Sequence, residues 1–269
     1  MTSISTDRWA SGDAYEGYIG RWSRLVAPLF LDWLGVPEDR SWLDVGCGTG
    51  VLTRAILERC APRSVVGVDP SSPFVDHARR ATTDARVRFE TGSADATGQP
   101  DASADAVVGG LVLNFVPDLD AALEEAQRVV RPDGTVGGYV WDYAAGMQLL
   151  RHFFDAAIAL DPGLAPHDEA VRFPITHEGR LAAAFEAAGL VGVAQRPIEI
   201  PTVFRDFDDL WMPFLGGTGA APTYVAALDG AARTALRDRL RASLPIEPDG
   251  SIHLTARAWA VKGRRPPPP

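Results

Sequence analysis

The sequence predicts an α/β protein: a seven-stranded, mostly parallel sheet with helices on both faces and a helical cap. Three observations carry this. Apolar runs of strand length alternate with segments of helical period from Ser41 to Trp141. A glycine-rich turn joins the first of those runs to the helix that follows it. The second run ends in an acid, Asp69. Strands that alternate with helices imply parallel pairing through right-handed crossovers.

The elements follow in order. After a polar start, Tyr18, Arg21, Trp22, Leu25, Val26, Leu29, Phe30 and Trp33 recur at helical steps, which predicts a helix over Tyr15 to Leu34. Gly35-Val36-Pro37 ends it. Strands are expected over Ser41 to Gly46, Ser64 to Asp69, Arg86 to Thr91, Ala106 to Leu113 and Thr135 to Trp141. The fourth is almost wholly apolar, the signature of a strand covered on both faces. Helices are expected over Val51 to Cys60, Pro73 to Thr82 and Leu119 to Val130.

Past Trp141 the alternation loosens. Met147 to Leu160 and Glu178 to Ala188 read as helices, the second stopped by Gly189, with a Pro-Gly loop at 161–166 between them. Val193 to Val203 reads as strand six and Ile252 to Val261 as the last strand. Between them lies an insertion, Phe204 to Leu244, holding Trp211, Met212, Phe214, a Gly216-Gly217-Thr218-Gly219 loop and a charged helix from Ala231 to Arg241. The expected organisation is a single domain over 1–263. Cap elements lie at about 15–34, 142–176 and 204–244, and the tail 264–269 is expected to be disordered.

Composition removes several function classes. The net charge is 26 − 35 = −9, which opposes broad nucleic-acid binding, since phosphate backbones demand Lys and Arg. No apolar run approaches a membrane span and Met1-Thr2-Ser3-Ile4-Ser5 has no basic lead into an apolar core, so a cytoplasmic protein is expected. Cys47 and Cys60 are expected as reduced thiols. The five histidines, His77, His152, His167, His177 and His253, form no metal-binding spacing, so no metal is expected. Lys262 is the one lysine, which removes a phosphate-loop lysine and a Tyr-x-x-x-Lys pair.

The run Trp42-Leu43-Asp44-Val45-Gly46-Cys47-Gly48-Thr49-Gly50 carries the chemistry. Glycine lets such a turn bend sharply and lets a ligand press on bare backbone. The helix opened by Val51 turns its amide end to the ligand. Asp69 stands where dinucleotide folds place the acid that binds ribose. Strand, glycine loop, helix, strand and acid together point to a nucleoside-containing ligand. The spacing is G-x-G-x-G, not the G-x-G-x-x-G of the NAD fingerprint. Asp44, two residues before the first glycine, would repel a pyrophosphate but could receive a cationic amino-acid moiety.

This stretch resembles motif I of the class I S-adenosylmethionine (SAM) dependent methyltransferases. Val66-Gly67-Val68-Asp69-Pro70-Ser71 resembles the next motif and Gly92-Ser93-Ala94-Asp95-Ala96 the third. Leu111 to Asp118 and Arg128 to Gly134 resemble the landmarks of the fourth and fifth strands. The resemblance spans roughly Ser41 to Trp141 and is nearest to the methyltransferase type 11 group, which includes ubiquinone and menaquinone biosynthesis enzymes. It implies a Rossmann-like fold, SAM as cofactor and S-adenosylhomocysteine (SAH) as product. It also implies that Asp69 takes both ribose hydroxyls and Asp95 the adenine amino group. The cofactor-binding set expected on this basis is Asp44, Gly46, Cys47, Gly48, Gly50, Asp69, Pro70, Ala94, Asp95, Asn114 and Phe115, joined by Tyr18 and Arg21 of the first helix. Arg21, one turn from Tyr18 on that helix, would either clasp the methionine carboxylate or pair at the surface with a nearby acid.

In methyl transfer the cofactor carries the leaving group, so the protein mainly aligns a nucleophile, and a base is needed only if that nucleophile is protonated. Asp142, Tyr143, His152 and His177 are the candidates for such a base. Tyr18, Trp22, Trp141, Trp211 and Phe214 either wall a substrate pocket or fill the core, with Trp22 leaning to core. The expected function is methyl transfer to a small-molecule acceptor by a monomer or homodimer. A non-catalytic SAM-binding protein and an NAD-type oxidoreductase stand as alternatives.

Overall fold

The computed structural model describes residues 20–216 and 219–267. Valine-rich segments build strands β1 (Ser41–Val45), β2 (Ser64–Asp69), β3 (Val87–Thr91), β4 (Ala104–Gly110) and β5 (Val130–Trp141). Two further strands, β6 (Val191–Phe204) and β7 (Ile252–Arg264), complete a seven-stranded sheet in the order β3-β2-β1-β4-β5-β7-β6. The pairs β1–β2, β1–β4, β2–β3 and β4–β5 are parallel. Strand β7 runs against β5: Asp133 N–H donates to Arg265 O at 3.0 Å near one end, and Asp142 N–H donates to Arg257 O at 2.9 Å near the other. The order therefore reverses between β1 and β4, the switch point at which open α/β sheets take their ligands.

Internal contacts divide the chain into two units, one built on Ser23–Val140, Glu178–Ile198 and the segment from Ala258 onward. In this sheet unit α1 (Arg21–Leu34) buries Val26, Phe30, Leu31 and Leu34, a stripe at helical spacing. The Phe30 ring lies 4.9 Å from that of Tyr139. Lys262 closes the helix by donating from Nζ to Trp33 O at 2.7 Å and to Leu34 O at 3.3 Å, a cation placed on the negative end of the dipole. The chain's one lysine is thus structural. From Ser23 onward this helix belongs to the sheet unit, whereas the sequence placed all of it in the cap.

Helices α2 (Val51–Arg59), α3 (Ser72–Ala81), α4 (Leu119–Val129) and the later α7 (Arg180–Ala187) complete this unit. Asp118 caps α4 by accepting Ala121 N–H at 3.0 Å. Strand β5 starts five residues earlier than the expected Thr135, because Val130 already pairs with Ala104 before a bulge. The bulge is held from just past β7, where Arg265 N–H donates to Gly134 O at 3.0 Å and its guanidinium donates to Val130 O at 2.7 Å. Arg264 and Arg265 are thereby ordered, against the disorder expected from 264 onward, and 268 and 269 lie outside the described residues.

The second unit holds Trp141–His177 and Glu199–Arg257 together with the segment ending at Trp22. It carries α5 (Gln148–Leu160), α6 (Glu169–Arg172), α8 (Phe207–Trp211), α9 (Ala220–Ala227) and α10 (Gly230–Ser243). An aromatic cluster forms its core. Phe153 stacks on Phe214 at 4.6 Å, Trp211 approaches Phe214 at 6.0 Å, and Trp22 meets Phe204 edge-on at 5.5 Å. Trp22, Trp141, Trp211 and Phe214 are all buried. An Arg151–Asp168 ion pair, donated from Nη1 to Oδ2 at 2.8 Å, ties α5 to the residue that caps α6.

Candidate functional site

The apolar register of β1 carries Asp44 into the interior, where it is fully buried. On α2, Thr53 donates from Oγ1 to Asp44 Oδ2 at 2.6 Å, while Asp44 Oδ1 is buried with no hydrogen-bond partner. Burial pushes the Asp44 carboxyl up to about 7; the Thr53 bond opposes this and the Asp69 charge adds to it. Burial, then Asp44 and Asp69, push the Cys47 thiol well above its usual range, so this cysteine is an inert filler of the turn.

The glycines of the turn answer different demands. Gly46 has φ +66°, and a Cβ there would lie 2.2 Å from Val112 Cγ2. Val112 belongs to the segment that leads from β4 into a short turn, Leu113–Phe115, so that turn is seated against the glycine loop. Gly48 has φ +52°, and a Cβ there would meet nothing within 4 Å. It faces open space. Gly50, also left-handed, precedes α2 and accepts Arg54 N–H at 3.0 Å.

At the end of β2, Asp69 Oδ2 accepts Gly48 N–H at 3.0 Å and Oδ1 accepts Ser71 N–H at 2.8 Å. Burial raises the Asp69 carboxyl, and those two backbone bonds oppose it. Gly92 N–H donates to Asp69 O at 3.2 Å, bringing the end of β3 alongside. Ala94 beyond it is half-buried, and Asp95 and Pro70 are exposed. Asn114 is buried with Nδ2 unpartnered, and Phe115 is half-buried. Every cofactor residue expected from the sheet segment lies in the sheet unit, with Asp44, the glycine loop, Asp69 and the Leu113–Phe115 turn drawn together.

This cradle fits the expected cofactor. Asp44 Oδ1 is an acceptor lacking a donor, which an ammonium supplies and a pyrophosphate cannot. Asn114 Nδ2 is a donor lacking an acceptor. The space before Gly48 lets a ligand reach backbone, as a glycine there requires.

The other expected residues lie in the second unit or outside the described residues, as Tyr18 does. Arg21 donates from Nη1 to Asp209 at 3.1 Å and sits over the rings of Trp22 and Phe204, 4.5 and 4.8 Å from their centroids. Its Nε and Nη2 are buried without a hydrogen-bond partner. Asp142 is 2% exposed; Oδ2 accepts Arg257 Nε and Nη2 at 2.8 and 2.6 Å, and Oδ1 accepts Ala145 N–H at 3.0 Å. Tyr143 is buried with its ring 6.0 Å from Phe173. His152 is half-buried on α5, and burial lowers its pKa. His177 is exposed, its Nε2 lying 2.8 Å from Ala170 O.

Sequence reasoning missed three residues. Thr53 had a signal, a hydroxyl one turn into the helix behind the acid. Val112 and Arg257 had none, since their roles rest on pairing across the fold. Among the described residues no group of three or more His, Cys, Asp or Glu could hold a metal, and no helix is long and apolar enough to cross a membrane.

A methyltransferase domain family model matches residues 43–137. Nocamycin O-methyltransferase of Saccharothrix syringae is 31% identical over 189 residues, covering 64% of this chain and 66% of the relative. Demethylmenaquinone methyltransferase of Lactobacillus johnsonii is 37% identical over 100 residues, 35% of this chain and 41% of the relative. The chain therefore spans between about two fifths and two thirds of these curated relatives. In fold it is similar to Haemonchus contortus phosphoethanolamine N-methyltransferase 2 in complex with SAM, with a TM-score of 0.58 at 16% identity over 95% of this chain and 56% of that one. The glycine loop, the acid closing β2 and the β3-β2-β1-β4-β5-β7-β6 sheet agree with these likenesses, and residues 43–137 belong to the methyltransferase domain family.

Proposed function

We propose that this protein transfers a methyl group from SAM to a small-molecule acceptor, releasing SAH. The observation that carries this reading is the cradle around Gly48: an open face on the loop, the loop amide held by Asp69, and a buried Asp44 oxygen awaiting a cation. The small-molecule acceptor is supported by the relatives named for nocamycin and demethylmenaquinone methylation.

SAM supplies the electrophilic methyl and the thioether leaving group. The chain's residues bind and orient. Asp44 receives the amino-acid ammonium, Asp69 the ribose hydroxyls and Asp95 the adenine amino group. Gly46, Cys47, Gly48 and Gly50 form the floor, and Pro70, Ala94, Asn114 and Phe115 line it. An acceptor that carries a proton at its nucleophilic atom must give it up. Of the base candidates, His152 best fits, because its lowered pKa keeps the imidazole neutral and able to accept. Asp142 is already committed to Arg257.

Incubation with SAM and a panel of phenols, quinols, carboxylic acids and amines, read by mass spectrometry, tests the reading. A one-methyl mass gain on an acceptor with matching SAH release supports it. SAH binding with no acceptor methylated across the panel would favour a cofactor-binding protein without catalysis, and NADH binding in place of SAH would overturn both.

A further inference from the structure

We infer that Thr53 is a positioning residue for cofactor capture: its hydroxyl holds one oxygen of Asp44 so that the other is left for the ligand ammonium, and Asp44 releases a proton as that ammonium arrives. This rests on the SAM reading above and assigns a role to a residue on the helix that follows the loop.

The geometry is specific. Thr53 is fully buried, and its Oγ1 donates to Asp44 Oδ2 at 2.6 Å. A short bond from a neutral hydroxyl to a carboxylate favours the ionised form and fixes the plane of the group. Oδ1, equally buried, is given nothing by the protein. A carboxylate half satisfied in the interior is costly when charged, so without a ligand it holds a proton. The groups that face Asp44 agree. From the end of β2 comes the like charge of Asp69, and from the loop comes the Cys47 thiol. On β4 its register partner is the uncharged Val108, and on α2 the next basic group, Arg54, is turned to Thr49 O at 2.8 Å. Among the described residues none therefore offers Asp44 a cation. The ammonium of SAM or SAH supplies one, and the displaced proton leaves to solvent.

The test uses SAH, which binds without turnover, in titration calorimetry from about pH 5.5 to about pH 7.5 in two buffers of different ionisation enthalpy. The expected result for the natural protein is affinity that rises toward tenfold per pH unit at the acid end and then levels, with up to one proton released per SAH. Thr53→Val, of the same shape without the hydroxyl, should bind roughly tenfold more weakly near neutral pH with its profile moved to higher pH. Thr53→Ser should restore the natural profile. Binding of SAH by the natural protein without proton release overturns the inference and leaves the SAM reading standing. So does a folded Thr53→Val variant with an unchanged profile. If Thr53→Val does not fold, the proton count of the natural protein decides alone. A natural protein that binds no SAH at any pH overturns both.

Discussion

Asp69 holds Gly48 directly, accepting its amide N–H at 3.0 Å through Oδ2. One side chain therefore fixes the glycine loop and, on the reading above, recognises the ribose. The two roles are compatible because a carboxylate oxygen accepts more than one hydrogen bond. They also mean that Asp69 cannot be altered without moving the floor of the site.

The first prediction follows from that coupling. Asp69→Ala should weaken SAH binding by about 1.5–3 kcal/mol, the range for hydrogen bonds to a charged group. The same change should speed hydrogen exchange at Gly48, whose amide loses its acceptor. An unaltered calorimetric titration for the variant would remove Asp69 from the ligand.

Gly46 and Gly48 separate fold from function. A Cβ at Gly46 would sit 2.2 Å from Val112, whereas one at Gly48 would meet nothing within 4 Å. Gly46→Ala should lower the melting temperature sharply, by overpacking that costs about 1–3 kcal/mol added to the left-handed backbone strain. Gly48→Val should leave the fold largely intact by circular dichroism, with only the strain cost, and abolish SAH binding by filling the space a ligand needs. Normal binding by a folded Gly48→Val protein would show that the loop is not the cradle.

Asp44 predicts a stability that falls with pH. Its carboxyl is pushed up to about 7, so between the ordinary carboxylate range and that value the folded chain binds a proton that the unfolded chain has lost. That stabilisation is full below the ordinary range and is lost as pH rises through about 7. In the absence of ligand, Asp44→Asn should flatten this decline, gaining melting temperature at about pH 8 relative to about pH 5, since an amide needs no proton there. It should also bind SAH more weakly. Parallel melting curves of the two proteins across that range would refute the assignment.

The region from Ser41 to Trp141 was legible because its signals are local. Strand period, glycine spacing and an acid at a strand end can each be read without knowing what lies across the fold. Asp44, Gly48 and Asp69 came from that stretch, and the structure draws them together. What sequence missed depends on partners far away in the chain. Strand β5 begins at Val130 because Arg265, just past β7, supplies hydrogen bonds to the bulge, and for the same reason Arg264 and Arg265 are ordered. The N-terminal helix reads as amphipathic wherever it docks. Phe30 against Tyr139, Asp32 on Arg59 and Lys262 on its last carbonyls give Ser23 to Leu34 to the sheet unit.

Asp142 shows the same limit and carries the last prediction. A carboxylate just after strand five reads as a base candidate, and the residue that claims it, Arg257, is 115 positions away. In the structure Arg257 donates twice to Asp142 and lies 3.4 Å from Glu199, while Asp142 also closes the turn at Ala145. Gly146 is packed beneath the pair, where a Cβ would fall 2.5 Å from Arg257 Cβ. Removing one partner leaves the other charge poorly compensated, at a cost of about 3–5 kcal/mol where the pair is buried; Arg257 is partly exposed, so the lower end applies. Asp142→Ala and Arg257→Gln should therefore both lower the melting temperature, and the double variant should lose less than the sum of the two. Activity at a temperature where both remain folded should fall through KM or stability, with no loss of an ionisation from the pH–rate profile. A general base behaves oppositely: Asp142→Ala would keep its melting temperature, lose kcat and erase the acidic limb of the profile, while Arg257→Gln would leave that limb in place.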